Sequence, residues 1–455
     1  MSSIPEQFAE YAVREQTASL APELVHHAKR AVIDWFAALL PGSVIEPASL
    51  MEQALSDELD TGRAALASGR RASMRAAAFI NGAASHAIEV DDIYRDATYH
   101  PGSPTVAAAL AVSQARGASG EAFLRAVIVG YEISTRIGTT VVQGHYKYWH
   151  PTGTIGCFGA TGAAATVLRL DRDQVAHALS TVTTFAAGLQ QAFQTDSMTK
   201  PLHSAHAAQA GVTSALGAEK GLTGAWNILE GPVGFGVAMS KDPDWSSAVK
   251  GLGSDYNIMR TTLKNHCCCG LTFSALDAAI ALRAAHQLKP EQIKRVTVHT
   301  FQAALDFTQK FEATPPQARL SFPYVISRAL VDGSVRLAAF MPPALREETV
   351  LALMRRVEFK ADPQMSARFP YERPATVEIE TIDGRLLKHH QPHRKGDPEC
   401  PLTDEELNDK YLELAAPIVG TAAAQALLKR LWALERSSNM DFSRDLRPQR
   451  AAVEA

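Results

Sequence analysis

The sequence predicts a mainly α protein: a large all-helical domain, a smaller α+β lid domain, and C-terminal helices that return to the helical domain. Three observations carry that prediction. The first 240 residues hold one apolar helical repeat after another. Alternating β-branched strands then gather between about residues 270 and 395. A capped helical run closes the chain. The expected boundaries are 1–268 for the helical domain, 269–398 for the lid, 399–436 for the returning helices and 437–455 for a loose polar tail.

In the first segment, Leu24, Ala28, Val32, Trp35 and Leu39 recur at helical spacing and make one buried face. Similar faces run through Ala76–Ala87, Thr105–Ala115, Glu121–Ile137, Ile155–Leu168 and Ala205–Ala218. Many of these positions are Ala or Gly. Small residues let helix axes approach closely, so a tight multi-helix bundle is expected. In the middle, Arg295–Thr300 and Val357–Lys360 alternate as strands. Thr376–Ile382 and Arg385–His390 form a hairpin about Asp383-Gly384. Ala318–Val331 and Pro343–Arg356 read as helices between them. Near the end, Thr403 with Glu406 makes a capping box and Leu402 with Leu407 a hydrophobic staple. The helix they start runs towards Arg436 with a break near Pro417.

Composition excludes several function classes. The 455 residues carry 45 Lys and Arg against 48 Asp and Glu, so no basic field exists for nucleic acid. No segment offers about 18 uninterrupted apolar residues to cross a membrane. The five cysteines, three of them consecutive, do not form a disulfide framework. A soluble cytoplasmic protein is expected, since the N-terminus shows no cationic stretch followed by an apolar one.

Chemistry-bearing residues fall in four segments. Glu89-Val90-Asp91-Asp92, followed by His100-Pro101-Gly102, crowds carboxylates that repel one another, and burial would raise a pKa among them. A histidine nearby could complete an acid/base pair, and a solvated acidic loop is the alternative. His150-Pro151-Thr152-Gly153 leads into Gly156, Gly159 and Gly162, a glycine stripe that suits close helix packing. No GxGxxG or GxxxxGK[ST] is present, which argues against a nucleotide site. The start of that helix could attract a carboxylate. Lys200-Pro201-Leu202-His203 places a lysine at a helix N-terminus, where it is unfavourable unless an anion shares the site. Lys264-Asn265-His266-Cys267-Cys268-Cys269-Gly270 lacks the paired spacing of zinc ligands; a nucleophilic cysteine and buried small apolar groups are its other readings.

Taken in order, Asn81-Gly82 through Asp92, His100-Pro101-Gly102, Gly130-Tyr131-Glu132, His150-Pro151-Thr152-Gly153 and Thr199–His203 form a pattern. It continues through Lys264–Gly270, Ser321-Phe322-Pro323-Tyr324 and Lys395–Glu399. In these motifs the chain resembles the MmgE/PrpD family, which includes 2-methylcitrate dehydratase, cis-aconitate decarboxylase and iminodisuccinate epimerase. The resemblance spans nearly the whole chain. It implies a homodimer acting on small di- or tricarboxylates without metal or organic cofactor. It implies that Lys200 grips a carboxylate, that His100 and His150 bind substrate or move protons, and that Asp91 or Asp92, with Glu89, acts as base or orients a histidine. His203, Lys264 and His266 join the substrate-binding candidates. Cys269 stands where decarboxylase-like members place a histidine and would serve as the proton donor there. Leu271 or Phe273 replaces a further family histidine, and Glu89 an aspartate. The activity this implies is a lyase reaction, foremost dehydration of a 2-methylcitrate-like hydroxy acid. A dicarboxylate epimerase, an aconitate decarboxylase and a catalytically impaired carboxylate-binding protein are the other readings.

Overall fold

The computed structural model describes residues 2–193, 197–306, 308, 311, 314–442, 446 and 448. The chain divides into two compact units. The first comprises 1–87, 91–261 and 403–455, the second 88–90 and 262–402.

The first unit is helical because its apolar faces repeat at helical spacing and its helix starts carry polar caps. Its longer helices are α1 (Ile4–Glu15), α2 (Pro22–Gly42), α3 (Met74–His86), α4 (Gly102–Arg116), α5 (Gly120–His145), α6 (Gly156–Val167), α7 (Arg172–Thr183) and α8 (Lys200–Glu219). Ser3, Ser73, Ser119 and Asp171 accept backbone N–H bonds at the starts of α1, α3, α5 and α7. The glycine stripe works by close approach. A Cβ on Gly159 would sit 2.4 Å from Thr105 Oγ1 of α4 and 2.7 Å from Ser134 Oγ of α5. One on Gly130 of α5 would sit 2.5 Å from the Gly159 carbonyl. The all-helical expectation for this part misses one feature, a small antiparallel pair of strands, β1 (Leu59–Ala65) and β2 (Arg71–Ala72).

The second unit is an α+β layer. Its sheet has strand order β4-β3-β5-β6, where β3 is Ile293–Thr300, β4 Val357–Ala361, β5 Ala375–Thr381 and β6 Leu386–Gln391. β3 runs parallel to β4 and antiparallel to β5; β5 and β6 form the expected hairpin, turned at Gly384 with φ +87°. Val296, Val298, Val377 and Ile379 are fully buried on its inner face. Helices α9 (Phe273–His286) and α10 (Phe322–Asp332) pack together, and α9 lies against β5 and β6. The unit begins at Thr262 rather than 269 and ends at Leu402 rather than 398. The physical reason is a buried knot: Arg394 donates to Asp397 and to Thr262 Oγ1, Thr262 donates to Asp397, and the Leu263 N–H meets the Gly396 carbonyl.

The chain returns to the first unit through α11 (Asp404–Val419) and α12 (Thr421–Trp432). The Thr403–Glu406 capping box is present, and Leu402 and Leu407 are both buried. Pro417 lies inside α11; the break falls at Gly420, whose φ of +84° only glycine adopts readily. α11 lies against α2, where buried Lys410 pairs with buried Asp34 at 2.5 Å. The segment expected as a loose tail is corrected where it is described. Met440, Phe442 and Leu446 are fully buried, Phe442 packs on Phe36, and the Met440 carbonyl accepts from Gln114. The rest of 443–455, Pro448 apart, lies outside the described residues. Among the described residues no helix is long and apolar enough to cross a membrane.

Candidate active site

The helical unit gathers an imidazole and carboxylate cluster at the end of α3 and the starts of α4 and α8. α3 ends at His86, and the chain turns through Glu89, a non-glycine residue at φ +59°, before delivering Asp91. Asp91 is almost fully buried. Its Oδ2 lies 2.8 Å from His86 Nδ1 and 3.3 Å from His100 Nδ1, and accepts from Ser103 Oγ at 2.9 Å. Burial works to raise its pKa, yet His86 and His100 beside it hold the carboxyl well below the usual carboxylate range. Burial pushes the His86 imidazole down to about 4, against the pull of Asp91. The two rings meet edge-on with centroids 4.7 Å apart.

His150 sits across this cluster, its ring stacked on His86 at 5.6 Å. It caps a single turn, Pro151–Thr154, set off from α6 at Ile155. Thr152 Oγ1 of that turn accepts the His100 backbone N–H, which ties the two histidine motifs together. His150 Nδ1 and His203 Nδ1 are 3.0 Å apart, so one proton lies between them and the rings hold opposite tautomers at that nitrogen. Burial, then the neighbouring imidazoles, lowers His150 well below the ordinary histidine value. Burial, then His86 and Lys200, lowers His203 to about 4. Both rings are therefore neutral at physiological pH. Lys200 opens α8, as Pro201 predicts, with its ammonium 5.3 Å from the Phe193 ring centroid. Phe193 in turn packs edge-on against His150 at 4.8 Å.

Thus the structure brings together Asp91, His100, His150, Lys200 and His203 of the expected residues, and adds His86, Ser103 and Phe193. Asp92 is put to a different use from the acid/base role expected of it. Its oxygens accept from the Gly102 N–H at 2.9 Å and from Tyr131 OH at 2.7 Å, which caps the start of α4. Burial, then the charge of Asp34, raises it to about 7.

The remaining candidates belong to the second unit. Lys264, 1% exposed, donates to the Glu89 carbonyl at 2.9 Å and reaches its carboxylate at 3.4 Å, holding Glu89 in its left-handed conformation. His266 bonds Asp277 at 2.9 Å and packs edge-on against Phe273, while Asp277 also accepts the Lys395 N–H. Cys267 and Cys268 are fully buried, and Cys269 is half-buried. The backbone of Cys269 is fixed at both ends, by the Arg319 carbonyl and by the Thr272 hydroxyl.

Residues 6–248 match the MmgE/PrpD N-terminal domain and residues 266–434 the MmgE/PrpD C-terminal domain. The chain belongs to the MmgE/PrpD family. Similar MmgE/PrpD relatives include the cis-aconitate decarboxylase-like protein oryM of Aspergillus oryzae, 25% identical over 452 residues that cover 92% of each chain. Human cis-aconitate decarboxylase is 25% identical over 449 residues, covering 96% of this chain and 92% of its own. The Aspergillus terreus cis-aconitate decarboxylase is 25% identical over 472 residues, covering 96% and 94%.

Among the described residues, His86, Asp91 and His100 also bring one possible ligand atom each within 4.8 Å of one another. Two imidazoles and a carboxylate suit zinc by donor type. In this MmgE/PrpD chain the two imidazoles both face one oxygen, Asp91 Oδ2, which also accepts from Ser103 Oγ. His86 was the residue hidden from sequence reasoning. It closes an Ala-rich helix and reads as core. Its signal is the fixed step His86-x4-Asp91, which places imidazole and carboxylate at either end of one tight turn.

Proposed function

We propose that this protein is a cofactor-independent lyase acting on a small di- or tricarboxylate. The observation that carries the reading is the convergence, in one partly buried cluster, of the Lys200 ammonium, neutral imidazoles at His150 and His203, and His100 beside Asp91. Removing a group beside a carboxylate creates negative charge on an enediolate. A cation and fixed donors stabilise that charge, and a neutral imidazole takes the proton. Lys200 would grip a substrate carboxylate. His100 and His150 would move protons, and Asp91 would orient the His100 ring.

Within that class the first reading is dehydration of a hydroxylated tricarboxylate such as 2-methylcitrate. The thiol at Cys269, in place of the histidine of decarboxylase-like members, supports it. Decarboxylation of an aconitate-like acid is the second reading, and the names of the relatives support that one. The protein would act as a cytoplasmic homodimer. Five cysteines, three of them consecutive and so unsuited to a disulfide framework, support the location. Exposed apolar side chains on the helical unit, among them Tyr148, Leu189, Trp226 and Val233, support a face that a second copy covers.

Incubation of candidate acids in heavy water tests these readings together. A new conjugated-acid absorbance with no carbon dioxide identifies a dehydratase. Release of carbon dioxide identifies a decarboxylase. Solvent deuterium at the α-carbon with neither product rejects both in favour of an epimerase. Ligand binding to Lys200→Ala and His150→Ala variants that falls away, with no turnover ever detected in the parent, would instead mark a carboxylate-binding protein.

A further inference from the structure

His86 has no part in the function proposed above, and its surroundings are unlike those of an ordinary core histidine. The ring is fully buried, yet only one nitrogen is satisfied: Nδ1 meets Asp91 Oδ2 at 2.8 Å, while Nε2 has no hydrogen-bond partner among the described residues. Asp91 Oδ1 is likewise buried without a partner. An ionised carboxylate only accepts, so the nitrogen at 2.8 Å carries the proton and His86 Nε2 keeps its lone pair. The same oxygen stands 3.3 Å from His100 Nδ1, which makes no hydrogen bond among the described residues. The His86 ring is also wedged between the others, stacked on His150 at 21° between planes and edge-on to His100 at 62°.

We propose that His86 and Asp91 form a buried positioning pair: Asp91 fixes His86 as the Nδ1–H tautomer, and the His86 ring sets the orientation of His100 and His150. His86 would touch no substrate; it would act through the two histidines it separates. The groups facing this pair are His100, His150, Ser103 and, further off, Lys200 and His203. Burial keeps His86 uncharged, which makes its tautomer a fixed feature across the pH range where the enzyme would work.

The kinetic consequence rests on the lyase reading; the tautomer does not, so the two are tested apart. Long-range proton–nitrogen spectra of the full-length protein labelled at histidine nitrogens report the tautomer directly, with His86→Leu and His100→Gln assigning the signals. The expected result is one protonated Nδ1 and one lone-pair Nε2 for His86, unchanged between pH 8 and pH 6. A protonated His86 Nε2 overturns the proposal, whatever the substrate turns out to be. For turnover, His86→Asn keeps a donor near the position of Nδ1, whereas His86→Leu keeps only bulk. His86→Leu should lower kcat about 100-fold, the usual effect of a small misplacement of reacting groups, with KM within about 3-fold. His86→Asn should recover about 10-fold of that loss. Equal losses in the two folded variants, or a loss confined to KM, would reject the positioning role.

Discussion

Gly211 offers a test of how tightly the bundle fixes the site. It lies on α8, ten or so residues along from Lys200 and His203, where that helix crosses α6. A Cβ there would sit 2.5 Å from Ala160 Cβ, 2.6 Å from the Thr161 backbone nitrogen and 2.7 Å from the Ala160 carbonyl carbon. Ordinary contact begins near 3.4 Å, so Gly211→Ala must part the two helices by about 0.8 Å against backbone that has no rotamer to change. Overpacking of this kind costs about 1–3 kcal/mol. Alanine returns up to about 1 kcal/mol in helix propensity, so the expected net loss is about 1–2 kcal/mol. The same displacement acts on the bond between His203, on α8, and His150, which leads into α6. Stretching 3.0 Å by that amount breaks it. Thermal melting should show a lower midpoint, and kcat on the cognate acid should fall about 100-fold. Gly217→Ala is the control on the same helix. Its Cβ meets only the end of the half-exposed Leu222 side chain at 2.8 Å, which can swing away, so propensity should win and stability should hold or rise. A Gly211→Ala protein as stable and active as its parent would show that the helix contact is slack and that the site does not depend on it.

Further outcomes follow from the titrating groups and the buried ion pairs. Asp92 is raised to about 7, so the native state holds a proton that the unfolded chain has released above about pH 4. Its contribution to stability is therefore lost as pH rises through 7, and Asp92→Asn should gain melting temperature over the parent at pH 8 but not at pH 5. His86, His150 and His203 shift the other way. The unfolded chain takes up protons below about pH 6.5 that the native His86 and His203 rings refuse until about 4, and burial likewise holds His150 well below the ordinary histidine value. The melting temperature should therefore fall steeply from pH 6.5 to 5, and less steeply in His86→Leu, as read by calorimetry across that range. In the second unit, Asp397→Ala strands the buried Arg394 guanidinium and should cost about 3–5 kcal/mol, measured by denaturant unfolding. A loss below about 1 kcal/mol would mean that the Gly270 carbonyl and Thr262 suffice to hold that charge.

Much of the fold was legible because its signals are local. The Thr403–Glu406 box, the Asp383-Gly384 turn and the helical spacing from Leu24 to Leu39 each act within a few residues, and each element stands where they put it. The features that escaped depend on distant partners. β1 runs through Asp60, Thr61, Gly62 and Arg63, with no β-branched alternation, and holds its place through β2 and through Gln114, whose amide oxygen takes the Ala65 N–H. The start of the second unit at Thr262 is set by Arg394 and Asp397, more than a hundred residues away. Met440 and Phe442 sit in a polar stretch that reads as loose, and the distant surfaces of α2 and α4, with Arg430 of α12 over the Phe442 ring, make them core.

The site divides along the same line. Lys200 at the start of α8 and His150 ahead of the glycine stripe could be singled out because Pro201, Pro151 and the glycines fix the backbone around them. The adjacent carboxylates could not be told apart by sequence, since neighbouring residues differ only in the direction each side chain takes. One turn of backbone sends Asp91 among the imidazoles and Asp92 to the Gly102 N–H and Tyr131, and their pKa values move in opposite directions as a result. His86 and His100 hold Asp91 low against its burial, while burial, and then the charge of Asp34, raises Asp92. Two chemically equal residues thus acquire different work from their surroundings alone. The carboxylate bonded to the His86 imidazole and the one that caps a helix are separated by packing, and Gly102, whose Cβ would collide with Asp92 at 2.8 Å, is what lets that packing close.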